Sequence, residues 1–431
     1  MSRIAPRPRR ARLAAVTALA VAAVTLLGAC AGPAEETSGP TTLHFLACCS
    51  EDLLKTVIAE FEDANPDITI EQEVVPFENL NDLIVSRLSG GDDSFDFYEA
   101  DQPRTAALAS AGYLTDLTDT YGKDAQGVLF DSSLAASTFE GKVWSAPLWS
   151  SSQVLYYNSA LLAQAGLTAP GIDPADRITW QQLESDALTA TGAGAECGVM
   201  FDQPDRYYQL QPIIESAGGG SGLTGDDLLT PDVTNDGWKA SMNFYSDLFK
   251  SGASPRGIPA EQSRALFADG KCAYFVGIPA LSEFTAAGID YGIAPVPYFE
   301  GGDAATPSDS FALGVNPNSK KQDAVLRFLE FATLTTDGNL AAVADNPNPT
   351  PNKEASPLFF EKVEAGDPHL AGIGDLVTFE LGNTVVHRPP STGYVKFETV
   401  IGNAFSDIRN GEDVQATLQS AQDELTAQLS R

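Results

Sequence analysis

Histidine, methionine and tryptophan are scarce in this chain of 431 residues, with three, three and four copies. His44, His369 and His387 are scattered, and no cysteine pair stands at zinc-site spacing, which argues against a structural metal site. Basic residues are few as well: 26 Lys+Arg face 58 Asp+Glu, a net charge of −32. So acidic a surface repels nucleic acid and anionic lipid, so no nucleic-acid partner is expected. There is no G-x-S-x-G elbow, no P-loop and no zinc-type histidine motif. With 58 acidic residues, chance carboxylate pairs say nothing about glycosidase chemistry. Neither an enzyme nor a cofactor is expected. The chain also lacks a membrane-spanning run: its leading apolar stretch, Leu13 to Leu27, is shorter than the ~20 residues a spanning helix needs.

That stretch follows Arg3, Arg7, Arg9, Arg10 and Arg12 and ends in Leu27-Gly28-Ala29-Cys30. A cationic start, a short apolar run and small residues before a cysteine are the layout of a lipoprotein signal. Residues 1–29 are read as the signal peptide, with cleavage before Cys30 and acylation of its sulfur. Arg9-Arg10 leaves ordinary and twin-arginine export both open. Two acyl signals give stable anchoring where one chain alone binds reversibly. Residues 30–41, the lipidated cysteine and a polar tether, would keep the remaining domain close to the extracytoplasmic face of a bacterial membrane.

The rest is long enough for two ordinary domains. Thr42 to Ala47 reads as a strand, and Leu54, Val57, Ile58 and Phe61 form a helical stripe ended by Asn65-Pro66. Ile68 to Val75 alternates as a strand. Leu80 to Leu88 is a helix, Phe95 to Glu99 a strand and Thr105 to Ala111 a helix. Strand and helix keep alternating beyond residue 150, with helices over 179–191, 238–249 and 413–429 and strands over 198–201 and 272–277. Ser319 and Gln322 stand at capping-box spacing before another helix. This is an α/β pattern with crossovers.

The order of these segments resembles the extracellular solute-binding proteins of family 1, the group containing maltose-binding protein. The blocks that carry the resemblance are FEDANPDITIEQE, FDFYEADQPRTAALASAGYLTDL, GKVWSAPLWSSSQVLYYNSALLAQAGL, ITWQQLESDALTAT, FADGKCAYFVGIPA, YGIAPVP and NPNSKKQDAVLRFLEFATLTTDGN, in that order over 42–431. The resemblance implies a two-lobed periplasmic-binding-protein fold (type II, Venus-flytrap) with a multi-strand hinge and ligand in the cleft. It implies an N-lobe of 42–147 plus 296–345 and a C-lobe of 148–293 plus 350–431. The implied activity is capture of a carbohydrate or polyol by a monomer that delivers it to the permease subunits of an ABC importer. A glycerol-phosphate-type ligand and a surface sensor component are the alternatives.

By register with the family, Cys48, Cys49 and Ser50 end the first strand where ligand contacts fall, with backbone N–H groups of a helix N-terminus available to ligand oxygens. Asp101 matches a carboxylate that accepts sugar hydroxyls, with Gln102 beside it; capping the next helix is its other role. Trp149 and Ser151 follow the first hinge crossing, and Trp149 is expected to stack on a sugar ring. Of Tyr207 and Tyr208, one is expected to face the ligand and one the core. Gly277 and Ile278 begin a segment without the tryptophan several sugar binders have, so maltose specificity is not carried over. Phe397 is a substitute aromatic. Asp309, Ser310 and Arg388 complete the set, Arg388 as ligand contact or interlobe ion pair. These candidates are rich in acceptors and aromatics and contain no lysine or arginine cluster, which points to a mostly uncharged, hydroxyl-rich ligand. Trp149 and Asp101, as cleft residues, are expected to matter little for stability. Cys197 and Cys272, on strands of one lobe, are expected to pair; Cys48 and Cys49 stay open between two thiols and a vicinal disulfide.

Overall fold

The computed structural model describes residues 40–279, 282–308 and 311–430. Cys30, the signal and tether up to residue 39, and Asp309 and Ser310 lie outside the described residues.

Nine strands carry the frame: β1 (Thr41–Cys48), β2 (Ile68–Val75), β3 (Phe97–Asp101), β4 (Ser145–Pro147), β5 (Val154–Asn158), β6 (Cys197–Phe201), β7 (Cys272–Gly277), β8 (Tyr291–Ala294) and β9 (Phe311–Val315). Among the described residues they form a five-stranded sheet, β2-β1-β3-β9-β4, and a four-stranded sheet, β8-β5-β7-β6. β1 runs parallel to β2 and β3, and β9 lies antiparallel between β3 and β4. In the second sheet β7 is parallel to β6 and antiparallel to β5.

The first sheet is covered on both faces along β3 and β9 and the second half of β1, so these strands are buried at successive positions, while the edge strand β2 alternates buried and exposed residues. Side chains alternate in direction along a strand. Phe45 and Phe97, register partners, stack at 4.4 Å in one cluster, while Leu46 and Tyr98 join the other with Leu80 and Ile84. The helices lie where the apolar periodicity puts them. Asp236–Lys250 buries Trp238, Met242, Tyr245 and Phe249 along one stripe, and the Asn235 side chain caps it by accepting from the Trp238 N–H at 3.0 Å. Val414–Leu429 is capped by Asp413 and buries Leu418, Ala421 and Leu425.

One expected cap is absent. Lys321, not Ser319, precedes the helix Gln322–Leu334, and no side chain caps it. Ser319 Oγ donates instead to the buried Asp96 carboxylate at 2.7 Å, which also takes the Lys321 ammonium at 3.0 Å. A buried carboxylate needs such partners more than an exposed helix end does.

Candidate functional site

The strand ends converge on one cavity. β1, β2, β3 and β4 point their carboxyl ends the same way, and the antiparallel β9 brings its first residue to that edge. Cys49, Phe77, Asp101, Trp149, Ser151 and Phe311 therefore arrive together on one side of a cavity of about 430 Å³. The carboxyl ends of the parallel pair β6 and β7 deliver Gln203, Arg206, Tyr208 and Ile278 to the other side, where Arg264 and Arg388 join them. Asn346 and Asn348 also line the cavity, from a segment bonded to Thr56 and Ser150. Ligands in open α/β sheets bind at such edges.

The first side is mostly apolar. Trp149 and Phe311 have ring centroids 5.7 Å apart, and Phe77 meets Phe311 at 5.8 Å. The second side carries guanidinium groups, each matched by a carboxylate. Arg388 forks onto Asp101, Nη2 to Oδ1 at 2.8 Å and Nη1 to Oδ2 at 3.2 Å. Arg264 forks onto Asp202 at 2.7 and 2.8 Å. Arg206 reaches Glu398 at 3.5 Å and lies over the Phe77 ring at 4.8 Å; Arg104 reaches Glu398 at 3.1 Å. Burial would push the Asp101 carboxyl up, but the charges of Arg388, Arg104 and Arg206 hold it below the usual carboxylate range. Two residues earlier on the same strand, Glu99 has no such partner. Burial raises its pKa to about 7, opposed only by the N–H of Cys48 at 2.6 Å.

Seven of the expected residues line this cavity: Cys49, Asp101, Trp149, Ser151, Tyr208, Ile278 and Arg388. The others described do not. Cys48 is buried beneath its neighbour, and Ser50 turns away to cap the short helix Glu51–Leu54 by accepting from the Asp52 N–H. Gln102 is buried, with its amide donating to the Ser133 carbonyl and Ser137 Oγ. Tyr207 is a core residue, stacked at 6.2 Å with Trp238. Phe397 packs beside it and against Gly222, where a Cβ would come within 3.0 Å of the Phe397 ring. The helix Tyr394–Asn410 buries the face that carries Phe397 against Asp236–Lys250, so this ring cannot replace the missing tryptophan. Gly277 is buried in β7 against Phe275. Asp101 makes no side-chain cap.

Two broader expectations also change. The cavity does contain an arginine cluster, Arg206, Arg264 and Arg388, which came from three distant segments. Trp149 and Asp101 are each only 6% exposed, so both belong to the packing as well as to the cavity. Phe77, Gln203, Arg206, Arg264, Phe311, Asn346 and Asn348 were not anticipated. Arg206 adjoins the tyrosine pair, and the asparagines lie in the proline-rich stretch 345–351, between the two segments assigned to different lobes; those were the available signals.

Cys197 and Cys272, register partners on β6 and β7, form a disulfide, and so do Cys48 and Cys49. Among the described residues no cluster of metal-ligating side chains occurs and no helix is long and apolar enough to cross a membrane.

Two sheets of this topology, with a cavity at their facing edges, define a two-lobed solute-binding protein of the type II fold. The sequence comparisons give the family: residues 50–338 match the bacterial extracellular solute-binding proteins, and the chain belongs to that family. A binding protein of Brucella abortus (strain 2308) is 25% identical over 287 residues, 63% of this chain and 66% of that protein, just under two thirds of its length. The maltodextrin-binding protein MdxE of Bacillus subtilis (strain 168) is 24% identical over 319 residues, 71% of this chain and 72% of that one. The fold matches the ABC substrate-binding protein Lmo0181 of Listeria monocytogenes, solved in complex with cycloalternan, with a TM-score of 0.77 at 19% identity, over 91% of this chain and 99% of that one.

Proposed function

We propose that this protein is a lipid-anchored extracytoplasmic receptor that captures a carbohydrate and delivers it to the permease subunits of an ABC importer. Cys30 is the acylated residue, the lobes are 42–147 plus 296–345 and 148–293 plus 350–431, and the working form is a monomer. The observation that carries the reading is the two-sided cavity, with aromatic rings on one side and carboxylate–guanidinium pairs on the other. A pyranose has the same duality: C–H faces that pack on rings and hydroxyls at the rim that need donors and acceptors. Because Arg388, Arg264 and Arg206 each have a carboxylate partner, the cavity offers donors without demanding an anion. That favours a neutral hydroxyl-rich ligand despite the arginines. The names of MdxE and of the cycloalternan complex point the same way. Ligand touching both lobes would favour the closed form by its differential affinity.

The test is a thermal-shift panel on the full chain: maltodextrins, galacto- and chito-oligosaccharides, polyols and glycerol 3-phosphate. A ligand that binds only the native state raises the melting temperature through RT ln(1 + [L]/Kd). A neutral oligosaccharide or polyol is expected to do so. A shift with glycerol 3-phosphate alone would replace the carbohydrate reading by the phosphate one.

A further inference from the structure

The two disulfides stand in opposite surroundings. Cys197 and Cys272 are 2% and 0% exposed, side by side within the second sheet. Cys48 and Cys49 are bonded as neighbours in sequence at the carboxyl end of β1; Cys48 is buried, while Cys49 is exposed and lines the cavity.

The loop's backbone donors are already used. The Cys48 N–H donates to Glu99, the Cys49 N–H to the Val75 carbonyl at 2.9 Å, and the Ser50 N–H to the Cys48 carbonyl at 2.8 Å. At the start of the short helix the Asp52 N–H goes to Ser50 Oγ and the Leu53 N–H to the Ser50 carbonyl. What this loop presents to the cavity is the disulfide. Cys49 has φ of 75°, in the left-handed region that side chains other than glycine seldom occupy, within a three-residue turn of the rarer hand. The covalent ring between the neighbouring side chains holds that turn. Its sulfurs are polarisable and apolar, and Cys49, the half of the bond that lines the cavity, lies on the same side as Phe77, Phe311 and Trp149.

We infer that the Cys48–Cys49 disulfide is itself a binding surface for the apolar face of the ligand, and that its reduction by a dithiol weakens binding. This rests on the carbohydrate reading above. In the reduction one thiolate of the dithiol attacks a cysteine sulfur, the S–S bond breaks, and a mixed disulfide forms. The second thiol of the reagent displaces it, leaving Cys48 and Cys49 as thiols and the reagent as a cyclic disulfide: two electrons and two protons are transferred. The product has two independent side chains and a turn no longer tied, so the contact surface must be ordered anew at each binding event. Access separates the two bonds, since exchange needs a thiolate to reach the sulfur. The cavity-facing pair meets that condition and the sheet-buried pair does not.

The experiment treats the folded full chain with dithiothreitol, traps thiols by alkylation and maps them by peptide mass. Titration calorimetry with maltotriose, or with whichever panel sugar gave the largest thermal shift, is run on oxidised, reduced and reoxidised protein. Expected are alkylation at Cys48 and Cys49 with Cys197 and Cys272 still bonded, and a loss of affinity of roughly ten-fold on reduction, the scale of one lost contact surface, regained on reoxidation. Recovery on the same molecules separates a local change from unfolding. The Cys48→Ser/Cys49→Ser variant should show the reduced affinity and no response to dithiothreitol. Equal affinity of oxidised and reduced protein, or a cavity disulfide that resists the reagent, overturns the inference and leaves carbohydrate binding standing. If the oxidised protein binds no sugar of the panel, the functional reading falls and this inference with it.

Discussion

The two sides of the cavity are built on different principles. The first, from the five-stranded sheet, presents Phe77, Phe311, Trp149 and the Cys49 end of the Cys48–Cys49 bond, and several of these groups are continuous with the core behind them. The second presents guanidinium groups anchored by Asp101, Asp202 and Glu398, with Asp101 reaching across from the strand end of the first sheet. The apolar side costs nothing in desolvation and keeps its shape through packing. The polar side must hold charges at a partly buried edge and does so by pairing them, which fixes their geometry and leaves further N–H donors for a ligand. Shape thus comes from one side and hydrogen-bond capacity from the other, and substitutions on the two should fail in different ways.

The sharpest break is at Asp101. Removing one partner of a buried ion pair leaves the other charge uncompensated, which costs about 3–5 kcal/mol. Asp101→Ala should therefore lower unfolding stability by that order in denaturant titration of the ligand-free protein. A loss below about 1 kcal/mol, the range of exposed ion pairs, would mean that the pair is a surface feature. Its own pH response follows from the lowered pKa: the stabilisation is present above the ordinary carboxylate value of 3.8 and disappears as pH falls through the lowered one.

Glu99 should respond in the opposite sense. Its folded pKa of about 7 exceeds the ordinary 4.5, so the native state binds the extra proton between those values. Stability then falls as pH rises from 4.5 through 7, and the penalty is fully present above 7. Glu99→Gln, whose amide oxygen can still accept from the Cys48 N–H, should remove that slope. The gain at pH 8 is at most about 3 kcal/mol, at 1.36 kcal/mol per pKa unit. Melting curves at pH 5 and pH 8 for both proteins check this; parallel curves would show that Glu99 stays ionised at both.

The apolar side was the more legible in sequence, for a physical reason. Cys49 lies just beyond a strand that the apolar run 42–47 marks in the sequence, and Asp101 and Trp149, at or just beyond strand ends, were placed by register with the family. Arg264 comes from the helix Ala260–Ala268, where nothing in the periodicity distinguishes a cavity-facing arginine from a solvated one. Arg206, Asn346 and Asn348 come from irregular segments whose side-chain directions no repeat sets. The errors have the same origin. Tyr207 and Tyr208 are adjacent at the start of a helix, and only the packing of Tyr207 on Trp238 and Phe397 decides which of them turns inward. Gln102 is polar and beside Asp101, yet the buried Ser133 carbonyl and Ser137 hydroxyl claim its amide.

The finest comparison sets one conservative change on each side. Trp149 packs against Phe311 and is nearly buried, so Trp149→Ala would confound lost binding with a core cavity, which for so large a side chain costs about 3–5 kcal/mol. Trp149→Phe keeps an aromatic face and most of the packing while shrinking the stacking area. Arg206→Lys keeps the charge near Glu398 but loses the planar fork and the flat contact over Phe77. If a sugar ring packs on the apolar side, Trp149→Phe should weaken binding by about 1 kcal/mol, the scale of an aromatic contact beyond area burial. Arg206→Lys should cost less, because Arg206 is the most exposed of the three cavity arginines bar Arg264 and loses only part of its hydrogen bonding. Calorimetry with the panel sugar on both variants, beside ligand-free melting, reads the two effects apart. A larger loss for Arg206→Lys than for Trp149→Phe would reverse the division of labour between the sides and make polar recognition the main source of affinity.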